Sequence, residues 1–269
     1  MPVPVPTLPL REPLELVRHI PRPVGALGES LPGAALVGKL RPHKVRNALG
    51  RRWFERQLDA TRVREDVPVE LLGTPYGGWI VPAGLIEPGW LCYTVGAGGD
   101  VSFDLELVRR FDARVRAFDA VEEFVAEALR DGEGEPRFSA HHAAIATADG
   151  PLRMQISHDP RSRSVSSAEL YESSSYVELP GRTLPSLMSE FGDGSIDLLK
   201  LDIEGSEYEL MPTVSLRELG VKVFAIQLHN TAGIARARTL IDAVRREGFE
   251  PVARRHPVKL TFVRSDLLG

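Results

Sequence analysis

The sequence predicts an α/β fold: a Rossmann-like, doubly wound, mostly parallel sheet with helices on both faces, plus an N-terminal proline-rich and helical extension. Three observations predict it. From Leu91 onward, compact apolar runs alternate with stretches of helical period, as when parallel strands are joined by helical crossovers. The first run empties into Gly96-Ala97-Gly98-Gly99, and the second ends on a carboxylate, Asp119. From Met1 to about Pro32, by contrast, prolines recur every few residues, removing backbone donors and favouring extended chain.

Between Leu36 and Leu58 the apolar residues Leu36, Val37, Leu40, Val45, Leu49, Trp53 and Leu58 recur at broken helical spacing. Lys39, Arg41, Lys44, Arg46, Arg51, Arg52 and Arg56 fill much of the rest. This reads as helices with a solvated basic face packed on the main domain, ahead of a surface for an anionic ligand or nucleic acid. Val69–Leu72 and Trp79–Val81 flank the turn cluster Gly73-Thr74-Pro75-Tyr76-Gly77-Gly78, which predicts a hairpin at the entry to the main domain. The expected division is therefore an arm and basic helical extension over residues 1–66 and the main domain over 67–269.

Within the main domain, Leu91–Val95 is a strand, and Phe103, Leu107, Val108 and Phe111 mark a helix face. Val115–Phe118 is a second strand, and Val121, Phe124, Val125, Ala128 and Leu129 give the next helix its apolar stripe. A third strand is expected around Phe138–Ile145, and Leu152, Met154 and Ile156 alternate as an extra strand after the Asp149-Gly150 turn. His158 to Ser175, rich in Ser and Arg, reads as a long surface loop or lid. Leu184, Leu187, Met188 and Phe191 form a helix face, and Ile196–Ile203 a buried strand. Val221–Leu228 is another strand, and Ile234, Ala237, Ile241 and Val244 a helix closed by Gly248. Val252 and Leu260–Val263 supply a final strand or hairpin.

Composition narrows the function. No apolar run approaches the ~20 residues that cross a bilayer, and the start lacks the basic flank and apolar core of a signal peptide. A cytoplasmic protein with no membrane partner is expected, which suits a single cysteine. Cys92 lies inside a predicted strand and reads as buried filler. The net charge of −4 argues against nucleic acid as the main partner. A homo-oligomer is left open.

In an open α/β sheet, ligands bind outside the carboxyl ends of the strands where the strand order reverses, and three strand ends here carry chemistry. Gly96-Ala97-Gly98-Gly99-Asp100 lies between a strand and a helix, where glycines let backbone approach a ligand. Asp119, 19 residues after Asp100, stands where a carboxylate accepts the hydroxyls of an adenosine ribose, the alternative being a helix N-cap. A dinucleotide fingerprint would need glycine at Val101, which disfavours a nicotinamide cofactor. Third, Asp197-Leu198-Leu199-Lys200-Leu201-Asp202-Ile203-Glu204-Gly205-Ser206-Glu207 releases two carboxylates at a strand end. Strand period places Asp202 and Glu204 on one face, able to orient a cofactor, accept a proton or hold a divalent metal. Alternatively, Glu204 or Ser206 simply caps the following helix.

At these residues the sequence resembles the FkbM-type methyltransferases, class I enzymes that use S-adenosylmethionine, over about Trp90 to Val263. The run Ile196 to Glu207 is similar to the family's most specific signature. Support comes from Ala144 to Gly150, Leu179 to Leu184 and Gln227-Leu228-His229. The family's Asp-x-Gly-Ala-Asn-x-Gly stands here as Thr94-Val95-Gly96-Ala97-Gly98-Gly99-Asp100, and its Glu-Pro after the second strand as Asp119-Ala120, which keeps a carboxylate.

The resemblance implies S-adenosylmethionine bound by Gly96, Ala97, Gly98, Asp100 and Asp119, with His141 or His142 near the adenine and Asp202 close to the methyl. It implies a hydroxylated small-molecule acceptor, sugar-like or natural-product-like, with Glu204 and His229 as candidates for acid/base work or substrate contact. The expected reaction is an in-line displacement in which His229 or Glu204 removes the acceptor's proton. An unperturbed histidine titrates near neutrality and suits that role, although a structural histidine at a strand end fits equally well. A metal held by Asp202, Glu204 and His229 is the less favoured version. Arg161 and Arg163 belong to a segment that closes over substrate or is merely solvated. Two rivals stand beside this reading. One is a nicotinamide-dependent oxidoreductase, disfavoured by Val101 and by the lack of a Tyr-x-x-x-Lys pair. The other is a degenerate methyltransferase fold that binds a partner through the basic N-terminal segment.

Overall fold

The computed structural model describes residues 42–156, 165–166 and 175–269, with side chains from Leu49 onward. The proline-rich arm, the residues from Leu36 to Arg41, and Arg161 and Arg163 lie outside the described residues. Val45–Gly269 forms one compact unit.

Helix α1 (Pro42–Asp59) leads to a hairpin, β1 (Glu70–Leu72) and β2 (Trp79–Val81), around the expected glycine-rich turn. Strand β3 (Leu91–Val95), α2 (Ser102–Phe111), β4 (Arg114–Asp119), α3 (Glu122–Asp131) and β5 (Phe138–His142) follow as two right-to-the-pattern βαβ steps. Next come the short strands β6 (Ala144–Ile145), β7 (Gly150–Ile156), β8 (Val165–Ser166) and β9 (Tyr176–Arg182), which form a separate four-stranded sheet. The chain returns through α4 (Leu184–Phe191), β10 (Leu198–Leu201), α5 (Glu207–Leu210), β11 (Val223–Gln227) and α6 (Gly233–Arg246). It closes with the hairpin β12 (Phe249–Arg255) and β13 (Lys259–Arg264).

The main sheet has the order β12-β13-β11-β10-β3-β4-β5, and β13 alone runs against its neighbours. The order reverses between β3 and β10, so a crevice opens at their carboxyl ends. Helices cover both faces. Phe54 and Leu58 of α1, Leu184 and Leu187 of α4, and Leu240, Ile241 and Val244 of α6 pack on Leu199, Leu201 and Phe224. On the other side Phe103 and Leu107 of α2, with Trp79 of the hairpin, pack on Cys92, Val115, Leu198 and Val223. Val125 and Ala128 of α3 pack on Ala117 and Ala140. Alternate residues of β10 thus serve opposite cores, which is why that run is apolar almost without interruption. Cys92 is fully buried there, and burial pushes its thiol pKa up, away from reactivity.

One polar tie fixes the layers. Asp193, just beyond α4 and 2% exposed, accepts from Tyr93 Oη at 2.7 Å and from Arg116 Nε and Nη2 at 2.7 and 3.1 Å. Arg116 also lies over the Phe191 ring, 4.3 Å from its centroid.

Three expectations are corrected. The strand expected over Phe138–Ile145 is two strands, because the Ala143 amide turns to the Asp119 carbonyl and Ala144-Ile145 then pairs with β9. Leu129 is 50% exposed and faces away from the α3 stripe. The strand expected to reach Ile203 stops at Leu201, so Asp202 and Glu204 sit in a loop where strand period no longer holds. On α1, Arg51, Arg52 and Arg56 are exposed, as a solvated basic face requires. Among the described residues no helix is long and apolar enough to cross a membrane.

Candidate functional site

A cavity of about 940 Å³ opens where the strand order reverses, near the upper end of the usual range of about 300–1,000 Å³ for a small-molecule site. Its floor is the turn after β3. Gly96 and Gly98 have φ of +81° and +59°, conformations that side chains resist. At Gly96 the requirement is also spatial, since a Cβ there would stand 2.0 Å from the Asp202 carbonyl oxygen. Lys200, 5% exposed in β10, donates to the Gly96 carbonyl at 2.5 Å and so fixes the underside of the turn.

Asp119 closes one side and is 7% exposed. One carboxylate oxygen accepts from the Gly98 amide at 2.9 Å, the other from the Val121 amide at 2.8 Å. Burial holds its pKa above the usual carboxylate range, although these amides work the other way. The capping and ligand-facing roles therefore coexist, because each oxygen retains a further acceptor position.

Asp100 lines the cavity, as expected of it, and also ties two turns together. Its carboxylate accepts from the Ser102 amide at 2.9 Å and from the Thr74 hydroxyl, and Ser102 Oγ accepts from the Thr74 amide at 2.8 Å. Asp100 thus pins the β1–β2 turn against the glycine turn, while still lining the cavity. His142 is exposed, with Nε2 at 3.0 Å from the Ala120 carbonyl, and is not among the cavity-lining residues. His141 turns into an aromatic group with Phe118 and Phe191. Ala97 and Gly98 do line the cavity.

Opposite Asp119, the ends of β10 and β11 bring Asp202, Glu204 and His229 together. Glu204 adopts φ of +51°, a bend that returns its carboxylate toward His229. His229 Nε2 stands 3.5 Å from Glu204 Oε2 and 3.8 Å from Asp202 Oδ1. Asp202, Glu204 and Gln227 line the cavity, whereas His229 is not among the lining residues and its Nε2 meets Gln227 Nε2 at 3.0 Å. The residue that sequence reasoning passed over is Glu207. Fully buried, it accepts from the His229 amide at 2.6 Å, approaches Nδ1 at 3.2 Å and accepts from the Gly205 amide at 2.9 Å. The Tyr208 hydroxyl donates to the His229 carbonyl at 2.7 Å. A glutamate in a first helical turn is an ordinary dipole partner, so only its apolar surroundings could have marked it.

These neighbours change the chemistry expected of His229. Burial opposes its charge, but the Glu207 hydrogen bond, with Glu207, Asp202 and Glu204 as nearby charges, pushes its pKa up to about 9. At neutral pH it holds a proton instead of taking one. Ser206 stands at the N-cap of α5 but makes no side-chain capping bond there.

The outer wall holds Tyr76, Trp79, His256 and Lys259, drawn from the two hairpins. Lys259 lies over the Trp79 ring, 4.4 Å from its centroid. Val165 of β8 also reaches the cavity, and the adjacent Ser166 hydroxyl donates to the Glu204 carbonyl.

The sequence model described as Methyltransferase FkbM domain matches residues 92–250, more than half of the chain. Solved structures of similar fold include TrmK from M. capricolum, bound to S-adenosylhomocysteine, at 10% identity over 68% of this chain and 65% of that one, with TM-score 0.40. They also include the fibrillarin pre-rRNA processing protein of Methanococcus jannaschii, at 10% identity over 73% and 71%, TM-score 0.38. A TehB-like S-adenosylmethionine-dependent methyltransferase from Corynebacterium glutamicum matches at 10% identity over 83% and 100%, TM-score 0.37. The matched part thus spans just under two thirds of TrmK. No curated protein gives a significant match.

Proposed function

The chain belongs to the FkbM methyltransferase family, and from that premise we propose that it transfers the methyl group of S-adenosylmethionine to a hydroxyl of a small, sugar-like or natural-product-like acceptor. The observation that carries this reading is a single cavity lined both by the glycine turn with Asp119 and by Asp202 and Glu204. The Gly96–Gly98 turn and Asp119 offer backbone and a carboxylate to the donor's amino-acid and ribose portions. Asp202 and Glu204 line the same cavity, and in this reading the acceptor oxygen meets the methyl beside them.

The enzyme's contribution is chiefly alignment, since methyl transfer needs oxygen, methyl carbon and sulfur in line. The acceptor oxygen gives its proton to Glu204, and its electron pair displaces S-adenosylhomocysteine from the methyl carbon. His229, protonated beside the two carboxylates, stabilises the charge developing on the oxygen. Glu207 and Tyr208 hold His229 for that purpose. The division of the chain into an extension over 1–66 and a catalytic domain over 67–269 belongs to the same proposal.

Isothermal titration with S-adenosylmethionine, S-adenosylhomocysteine and NADH, followed by labelled methyl transfer to a panel of hydroxylated acceptors, tests the reading. Micromolar binding of both adenosyl ligands and transfer to oxygen support it. A folded protein that binds neither is a scaffold, and one that binds NADH alone is an oxidoreductase; either result rejects the proposal.

A further inference from the structure

We propose that Asp202, Glu204 and His229 form a binding site for one divalent cation, of the Mg²⁺ or Mn²⁺ class, at the acceptor end of the cavity. Its catalytic meaning rests on the methyl-transfer reading; its existence does not.

The first argument is spacing. The three side chains offer one donor atom each within 4.8 Å of one another, and two of the separations are 3.5 and 3.8 Å. Donors about 2.0–2.5 Å from a shared cation stand roughly 3–4 Å apart from one another. The second is the way the imidazole is held. Metal-bound histidines are oriented by a carboxylate on the other ring nitrogen. Glu207 is such a group, fully buried and touching both the amide and Nδ1 of His229, while Nε2 meets Gln227 Nε2 at 3.0 Å and stands within 3.8 Å of both Glu204 and Asp202.

Two carboxylates and one imidazole suit a hard or borderline cation that keeps open positions for water and substrate. Bound there, the cation would supply positive charge at the acceptor oxygen. The acceptor hydroxyl coordinates it and passes its proton to the Glu204 oxygen that does not bind the cation. The freed electron pair forms the new C–O bond as the methyl–sulfur bond breaks, giving methyl ether and S-adenosylhomocysteine.

The test is titration of the full chain, stripped with EDTA, with Mn²⁺ and Mg²⁺ in the absence of donor and acceptor. One equivalent should bind. Glu204→Gln should weaken it about tenfold or more, and Glu207→Gln, acting through the imidazole, by about 10- to 100-fold. Paramagnetic broadening of the His229 ring signals by Mn²⁺ in the wild-type protein supports the site without any variant. Absence of Mn²⁺ binding at millimolar concentration overturns the site, as does binding that Glu204→Gln leaves unchanged or that spares the His229 signals. Parallel titration with S-adenosylhomocysteine separates the two proposals: donor binding without metal binding rejects only the cation, and metal binding without donor binding rejects only methyl transfer.

Discussion

Replacing Asp119 by asparagine separates two roles that one carboxylate plays. In the native turn its two oxygens accept from the Gly98 and Val121 amides at 2.9 and 2.8 Å. An asparagine retains one acceptor oxygen and must present an amine to the other backbone N–H. One charge-assisted bond is therefore lost, at about 1.5–3 kcal/mol. Urea unfolding should show that loss directly. If a ribose hydroxyl also donates to this carboxylate, S-adenosylhomocysteine affinity should fall by a further bond of the same kind, about 10- to 150-fold. Titration calorimetry under conditions where both proteins are fully folded reads that second quantity alone. A variant that is less stable but binds S-adenosylhomocysteine as tightly as wild type would reduce Asp119 to a turn cap and refute its place in the donor site.

Three further outcomes are expected. Gly96→Ala should abolish donor binding, because its Cβ meets the Asp202 carbonyl at 2.0 Å and its φ costs about 1–2 kcal/mol besides; affinity close to wild type in calorimetry would show that the turn yields. Asp193→Asn should cost about 2–4 kcal/mol in urea unfolding by stranding Arg116, whereas Arg114→Ala, whose side chain is 51% exposed, should cost little. Burial alone would raise the Asp193 pKa, but Arg116 and Tyr93 hold it below the usual range. Its contribution is thus present above the unfolded value near ~3.9 and lost as pH falls through the lower folded value. Wild type should therefore lose stability more steeply than Asp193→Asn below about pH 4, and parallel pH profiles would contradict the linkage. Asp100→Ala should free the turn at residues 73–78, read as faster limited proteolysis there and a stability loss of about 1–2 kcal/mol; unchanged cleavage would show that the turn is held otherwise.

The strands were legible where burial on both faces leaves a near-continuous apolar run, as in Leu91–Val95 and Leu198–Leu201. The glycine turn and Asp119 were legible because backbone conformation and strand-end position restrict which residues fit. What stayed hidden depends on contacts between distant segments. Nothing local marks Ala143 as the point where one strand becomes two, since the cause is an amide bond to Asp119. Asp202 and Glu204 meet as expected but through a left-handed bend at Glu204, not through strand period. Likewise Glu207 is ordinary in sequence and decisive only beside His229, 22 residues away.

The bond from Ser166 to the Glu204 carbonyl joins the inserted sheet to the loop that holds Asp202 and Glu204, while Val165 next to it forms part of the pocket wall. Under the proposed reaction, an acceptor that displaced this wall would pull on the backbone of Glu204, so that a poor fit would be read in turnover more than in occupancy.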